Sequence, residues 1–279
     1  MKRFSFDGPF DLPLTVSCGQ AFRWKEEEDG YWSAPVNGSV WKVRQKEDTL
    51  LYGGCSEEEL IHYFALDLDL DEILSSIDTD PLIHKAITAC RGLRICRQPP
   101  FECLISYICA SCSNIPMIAK RIELLSETFG KQAGGKRFAF PTADVLAEHG
   151  MDEIRCCKTG YRDKFIHEAS VYAAKNPHWI EQLSTIPYPD ARSELMKLSG
   201  IGPKVADCVL LFGFAKYEAL PVDVWIERIF RTQYFDGNKG RKLPYNTTAE
   251  FGRKHFGAFA GYAQEYLYAE REILSKRGE

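Results

Sequence analysis

The 279-residue chain contains no apolar run approaching the ~20 residues that a bilayer-spanning helix needs, so membrane insertion is not expected. The N-terminus (MKRFSFD) has no apolar signal core. The ten cysteines are therefore expected to remain thiols in a reducing compartment: the cytoplasm, beside the nucleoid, for a prokaryotic protein, or the nucleus for a eukaryotic one. Internal repeats and low-complexity tracts are absent. No cysteine follows Cys208, which excludes a C-terminal four-cysteine iron–sulfur loop. The stretch from Glu57 to Asp80 has nine acidic residues and not one Lys or Arg.

The chain as a whole has the composition of a soluble globular protein, with 45% hydrophobic and 27% charged residues. A net charge of -4 argues against non-specific coating of nucleic acid. The charge is segregated, however: Arg228 to Lys254 carries seven basic residues against two acidic ones. Either run could equally be a solvated face.

Two regions are expected. In residues 1–88, strand-like segments at 22–24, 31–36, 39–43 and 49–52 are separated by turns that include the hairpin signal Asn37, Gly38. Residues 89–279 have helical periodicity, notably at 103–108, 115–129 and 266–274, broken at Pro141, Pro177, Pro187, Pro189 and Pro221. The fold class is α+β, an N-terminal antiparallel sheet domain followed by a larger α-helical domain.

The segment LSGIGPKVADC at 198–208 carries the strongest chemical signal. A helix from about residue 190 should stop at Gly200, Gly202 permits a second bend, and Pro203 suits the first position of the next helix. The product is a helix-hairpin-helix over about 190–216, whose free N–H groups at a helix start can bind a phosphate oxygen. Gly-x-Gly alone would favour ordinary packing. Lys204 changes that balance, because the positive end of the helix dipole disfavours its ammonium form and a neutral amine is a nucleophile. Cys208 lies four residues on, along the same helix face. Asp223, just before another helix, reads either as an N-cap or as a catalytic carboxylate, and the two roles are compatible.

Seven colinear segments then resemble the 8-oxoguanine DNA glycosylases of the helix-hairpin-helix superfamily: SCGQAFRW at 17–24, YFALD at 63–67, RQPPFECL at 97–104, GYR at 160–162, LSGIGPKVADC at 198–208, PVDV at 221–224 and GYAQ at 261–264. The resemblance implies excision of 8-oxoguanine from duplex DNA by a monomer, through a Schiff base on Lys204 with Asp223 as its acidic partner, followed by β-elimination. It implies neither cofactor nor metal. It also implies a pocket for a flipped base, with Gly19 accepting from N7–H, Gln264 reading the Watson–Crick edge, and Cys208 and Tyr268 sandwiching the ring. Tyr161 would be a wedge in the base stack, with a core aromatic as the alternative. Arg162 is a candidate for contact with the opposite strand, and Gly200 and Gly202 for the phosphate.

Three positions depart from the family pattern. Family asparagines are replaced in SCSNIPM at 111–117, where Cys112, Ser113 and Asn114 are the DNA-binding candidates. Trp225 stands where a phosphate-contacting His is expected. Met117 aligns with an Arg that reads the base opposite the lesion in eukaryotic relatives. Cys109 and Cys112 form a Cys-x-x-Cys, here read as core or cleft cysteines without a redox or metal role, and Cys156 and Cys157 are read as structural. Two other functions remain open at this level: a monofunctional glycosylase for alkylated bases, which would lack the lysine, and a non-catalytic DNA-binding scaffold, which would need neither Lys204 nor Asp223.

Overall fold

A computed structural model describes residues 1–235 and 241–271. Strands β1 (Lys2–Ser5), β2 (Lys25–Glu26), β3 (Trp32–Val36), β4 (Ser39–Lys46) and β5 (Thr49–Gly53) form one antiparallel sheet in the order β1-β5-β4-β3-β2. Asn37 and Gly38 both take positive φ, 48° and 84°, as a two-residue hairpin between right-twisted strands requires. The residues expected as a strand at 22–24 lie just before β2 instead, and β1 was not anticipated. Alternation along the strands puts Ala34, Val36, Trp41, Val43, Leu50 and Tyr52 on one buried face. That face is covered by α1 (Leu12–Ser17) and α2 (Glu57–Tyr63), through Leu12, Val16, Leu60 and Tyr63. A capping box at Ser56 and Glu59 starts α2.

The helices that follow are α3 (Leu70–Ile77), α4 (Pro81–Ala89), α5 (Pro100–Cys109), α6 (Ile115–Phe129), α7 (Ala143–Glu148), α8 (Met151–Ile154), α9 (Asp163–Lys175), α10 (Trp179–Thr185), α11 (Tyr188–Leu195), α12 (Pro203–Phe214), α13 (Val224–Gln233), α14 (Tyr245–Phe256) and α15 (Ala260–Ala269). None of the described helices is long and apolar enough to cross a membrane. The expected helix over 115–129 coincides with α6. The one expected over 266–274 is α15 at its start, and residues 272–274 lie outside the described range. Prolines 177, 187 and 221 stand between helices, whereas Pro189 occupies the first turn of α11, where a missing N–H costs nothing.

A division at residue 88 does not follow the cores. Leu70, Ile73, Leu74, Ile77, Ile83 and Ala86 of α3 and α4 belong to the larger helical core, while the sheet core takes residues up to Leu66 together with Cys96. The apolar faces of α3 and α4 pack on α15, which residue order along the chain could not reveal. A second small hairpin, β6 (Gln132–Gly134) with β7 (Arg137–Phe138), also went unanticipated. Its Gly134, Gly135 turn is the signal that could have located it. The hairpin returns to the first region, with Arg137 donating to the Arg23 carbonyl at 2.8 Å and Arg23 to that of Phe138.

The centre of the helical region is the pair α5 and α12, buried continuously over residues 103–109 and 205–212. Tyr107 stacks flat on Phe212 at 5.4 Å between ring centroids. The linker before α5 is pinned on both sides: Arg97 N–H donates to Tyr63 and Gln98 N–H to Phe212. Buried Gln20 binds this linker to α1, its amide donating to the carbonyls of Thr15 (2.9 Å) and Arg94 (2.8 Å) while its Oε1 accepts from Cys96 N–H (2.8 Å). The Gln20 carbonyl accepts in turn from Gln98 (2.8 Å) and from the Tyr107 hydroxyl (3.0 Å). Gln20→Ala removes a partner from three buried backbone groups, of which the Thr15 carbonyl keeps the Cys18 thiol, so the expected loss is about 2–4 kcal/mol in chemical denaturation. A loss within error would show that these bonds do not hold the two regions together.

Candidate active site

The hairpin forms where the sequence places it. α11 ends at Leu195, Gly200 adopts φ 79°, and a Cβ there would stand 2.3 Å from the Phe165 ring, so no other residue fits. Gly202 differs from the expected second bend. Its φ of -88° and ψ of 179° are ordinary extended backbone, and a Cβ would meet nothing within 4 Å. It caps α12 without any side-chain hydrogen bond, so the first N–H groups of that helix stay open beside an exposed glycine.

The face of α12 toward the core is locked by Asp207, which is fully buried. Its carboxylate accepts from Tyr188 Oη (2.8 Å) and Arg192 Nε (2.8 Å) of α11, and from Tyr245 Oη (2.6 Å) of α14. Burial raises the Asp207 carboxyl above the usual range, and these three donors oppose that rise.

About one turn before this anchor and directly after it, Lys204 and Cys208 face a cleft of about 940 Å³. Lys204 is half-buried in the first turn, and its charge bears on the Cys208 thiol, which burial pushes up. Asp223 reaches the same cleft from the start of α13. It is an N-cap, its Oδ1 accepting from Trp225 N–H (2.9 Å) and Ile226 N–H (2.8 Å), and the cap does not use Oδ2. Gly19, Gln264 and Tyr268 complete the wall. Gly19 has φ 104°, and a Cβ on it would stand 2.9 Å from Ile115 Cδ1 and 3.7 Å from the Tyr268 ring. Arg271 lies over the Tyr268 ring at 4.2 Å from its centroid.

Cys112, Ser113, Asn114 and Trp225 line the rim of the cleft. Cys112 is exposed at φ 49°, whereas Cys109 is buried on α5. Asn114 caps α6 through Met117 N–H, and Ser113 accepts from Arg121 at 2.6 Å. Met117 is exposed near the rim, outside the cleft lining. Tyr161 is 58% exposed, so it is no core aromatic. Arg162 departs from the expectation of an opposite-strand contact. It is buried, its guanidinium donating to the carbonyls of Ser111, Thr159 and Cys112, because it braces the turn that presents Cys112 and packs 4.4 Å from the Tyr161 ring centroid.

Residues 5–104 match the N-terminal domain of the 8-oxoguanine DNA glycosylases, and residues 188–212 match the helix-hairpin-helix motif. The chain is 31% identical to a protein of Methanothermobacter thermautotrophicus named probable N-glycosylase/DNA lyase, over 94% of this chain and 93% of that one. The chain belongs to the 8-oxoguanine DNA glycosylase family. An N-glycosylase/DNA lyase of Arabidopsis thaliana is also 31% identical, over 92% of this chain and 76% of the plant protein. The 8-oxoguanine glycosylase/lyase of Clostridium acetobutylicum, solved in complex with double-stranded DNA containing cytosine opposite 8-oxoguanine, superposes with a TM-score of 0.89 at 33% identity, covering 95% of this chain and 93% of that one.

Among the groups of this glycosylase's cleft that sequence reasoning missed is Glu265. The signal was present, since Glu265 is the one acidic residue in the otherwise uncharged helix α15. It is 4% exposed, and burial raises its carboxyl to about 7 from the ordinary 4.5, against hydrogen bonds from Cys18 and Gln264 that lower it. The folded state therefore holds a proton that the unfolded chain releases above 4.5, and stability falls as pH rises toward 7. Glu265→Gln removes this dependence. Thermal or chemical denaturation of both proteins should show the wild type losing on the order of 2–3 kcal/mol relative to the variant between about pH 4.5 and pH 7.5, and a pH-independent difference would refute the ionisation.

Proposed function

We propose that Lys204 is the nucleophile and Asp223 the electrostatic partner by which this glycosylase, as a monomer, excises 8-oxoguanine from duplex DNA and then cleaves the strand. The carrying observation is that Lys204 and Asp223, nineteen positions apart on different helices, line one cleft with Gly19, Cys208, Gln264 and Tyr268. All of these groups come from a single chain, which suits a monomer. The exposed N–H groups beside Gly202, with space where a Cβ would stand, suit a phosphate and explain how a chain of net charge -4 grips DNA. The cleft is large enough to receive a base turned out of the duplex.

In this reading the Lys204 Nζ lone pair bonds to the sugar C1′ while the C1′–N9 bond breaks, and the base leaves with that electron pair and takes up the proton that the new ammonium at Nζ sheds. The Asp223 carboxylate, whose Oδ1 caps α13, stabilises the positive charge that builds on the sugar. Opening of the sugar ring gives an imine between Lys204 and C1′. Loss of a C2′ proton then expels the 3′ phosphate, and hydrolysis of the imine frees the lysine. A monofunctional alkylated-base glycosylase would have no use for a lysine in the cleft. A non-catalytic scaffold would not need Asp223 there.

Borohydride should trap a covalent adduct with a duplex carrying 8-oxoguanine, and Lys204→Gln should abolish the adduct; trapping at the wild-type level in that variant would remove Lys204 as the nucleophile. Asp223→Asn keeps a capping acceptor, so it should slow single-turnover excision by a factor of about 10²–10³ with little loss of thermal stability.

The base opposite the lesion lacks one reader. Met117 has no donor, and Arg162 is committed to carbonyls of its own chain. Excision opposite cytosine, thymine, guanine and adenine should therefore proceed at rates within about tenfold of one another, and Met117→Arg should favour cytosine by roughly ten- to a hundredfold. Single-turnover rates on the four duplexes test this, a strong cytosine preference in the wild type counting against it.

A further inference from the structure

We infer that Arg121 is a positioning residue: together with Arg162 it joins the turn that presents Cys112 to the turn that presents Tyr161, so that both meet the duplex as one rigid unit. This rests on the reading of Tyr161 as a wedge in the base stack and of Cys112 as a DNA contact. The two turns, at 109–114 and 157–162, are far apart in sequence and both reach the surface through these exposed residues. Beneath them Arg121 and Arg162 are buried.

The two guanidiniums cross-link the turns in opposite senses. Arg121 follows the first turn, on α6. It donates there to the Cys109 carbonyl (3.1 Å) and Ser113 Oγ (2.6 Å), and its Nε donates to the Lys158 carbonyl of the second turn (2.9 Å). Arg162 belongs to the second turn. It donates to the Ser111 (3.0 Å) and Cys112 (3.4 Å) carbonyls of the first, and to the Thr159 carbonyl (3.2 Å) of its own. The Tyr161 ring rests on that same guanidinium. A planar fork fixes the direction of such bonds as well as their length, which a lysine ammonium cannot do.

Cys112 and Lys158 take φ of 49° and 60°, a left-handed region that a non-glycine residue keeps only where its surroundings enforce it. In both cases the carbonyl of that residue is the one gripped from across, Cys112 by Arg162 and Lys158 by Arg121. All six acceptors are uncharged, and burial next to the Arg162 charge disfavours the Arg121 cation. Apolar side chains would fill the same space without that cost, so what the arginines add is the cross-link. A wedge opens a base stack only if its own support does not yield. Gly160, immediately before Tyr161, has φ 59° and open space where a Cβ would stand, so no packing stiffens the turn there. Through Arg121 the load on Tyr161 passes to the Cys112 turn and to α6.

The decisive quantity is the ratio of single-turnover excision rates for 8-oxoguanine in a fully paired duplex and in a short unpaired bubble, where the stack is already open and a wedge has little work to do. Tyr161→Ala should lower this ratio about tenfold, Arg121→Met should lower it by a comparable factor, and the double variant should lower it no further, since Arg121 acts through Tyr161. Arg121→Lys keeps the charge, loses the fork and should behave as Arg121→Met. A merely structural role would slow both substrates alike or lower the melting temperature, leaving the ratio in place. The inference alone is overturned if Tyr161→Ala lowers the ratio and Arg121→Met does not, if the two factors multiply in the double variant, or if lysine rescues fully. An unchanged ratio in Tyr161→Ala overturns the wedge reading and the inference with it. Should Arg121→Met not fold, hydrogen exchange at saturating duplex decides, in a Lys204→Gln background that leaves the DNA intact. Duplex should protect the amides of 110–114, and Tyr161→Ala should remove most of that gain although it lies in the other turn; an unchanged gain overturns the inference.

Discussion

The side chain of Gln20 makes three hydrogen bonds to backbone groups of Thr15, Arg94 and Cys96, and its own carbonyl accepts two more from Gln98 and Tyr107. These partners belong to α1, to the linker ahead of α5, and to α5 itself. Gln20 thus ties the sheet region to the helical core through bonds that are all buried, where an unpaired group is most costly. Gly19 precedes Gln20 in the chain, and Cys18 precedes Gly19. The placement of both against α15 follows from the hold on Gln20. The sheet supplies little else to the cleft, so its role is that of a rigid platform for one loop.

A second anchor, Asp207, does for α12 what Gln20 does for that loop. Three donors from α11 and α14 converge on its carboxylate, so the hairpin, the helix bearing Lys204 and the helix α14 move as one body. Lys204 and Cys208 stand on the flanks of this anchor, and small displacements of either are resisted by buried hydrogen bonds as well as by packing. Precision of this kind is what a reaction at a sugar carbon demands, since an amine misplaced by an ångström loses most of its advantage. The hairpin tip at Gly202 and Lys204 also lie within one helical turn of each other, so whatever holds the tip holds the amine.

Much of the site was legible because its residues announce themselves locally. Gly200 turns the chain after α11, Pro203 starts the next helix, and a lysine in a first turn is misplaced for stability; each is a statement about neighbours in sequence. Asp223 was legible as a cap for the same reason, and its capping bonds are present. Tyr161 and Arg162 were adjacent and looked alike in their prospects, yet one is exposed and the other buried under carbonyls. Their separation depends on the direction of two side chains in a short turn, which no periodicity encodes. The hairpin of β6 and β7 was passed over because two short strands in a helical stretch give no alternation to count.

The sequence by itself determined the class of the fold and the hairpin, and it singled out Lys204 and Asp223 as the candidate pair, since those rest on backbone preferences and on side-chain chemistry. Tertiary structure alone decided which distant residues share a cleft, where the two cores divide, and the state of Glu265. A glutamate next to a pocket glutamine is only an acidic residue on paper. Enclosure among Cys18, Cys96, Tyr107 and Cys208 removes water from its carboxyl and raises it to about 7, and that desolvation is a property of the packed surroundings, which assemble from segments up to 247 residues apart.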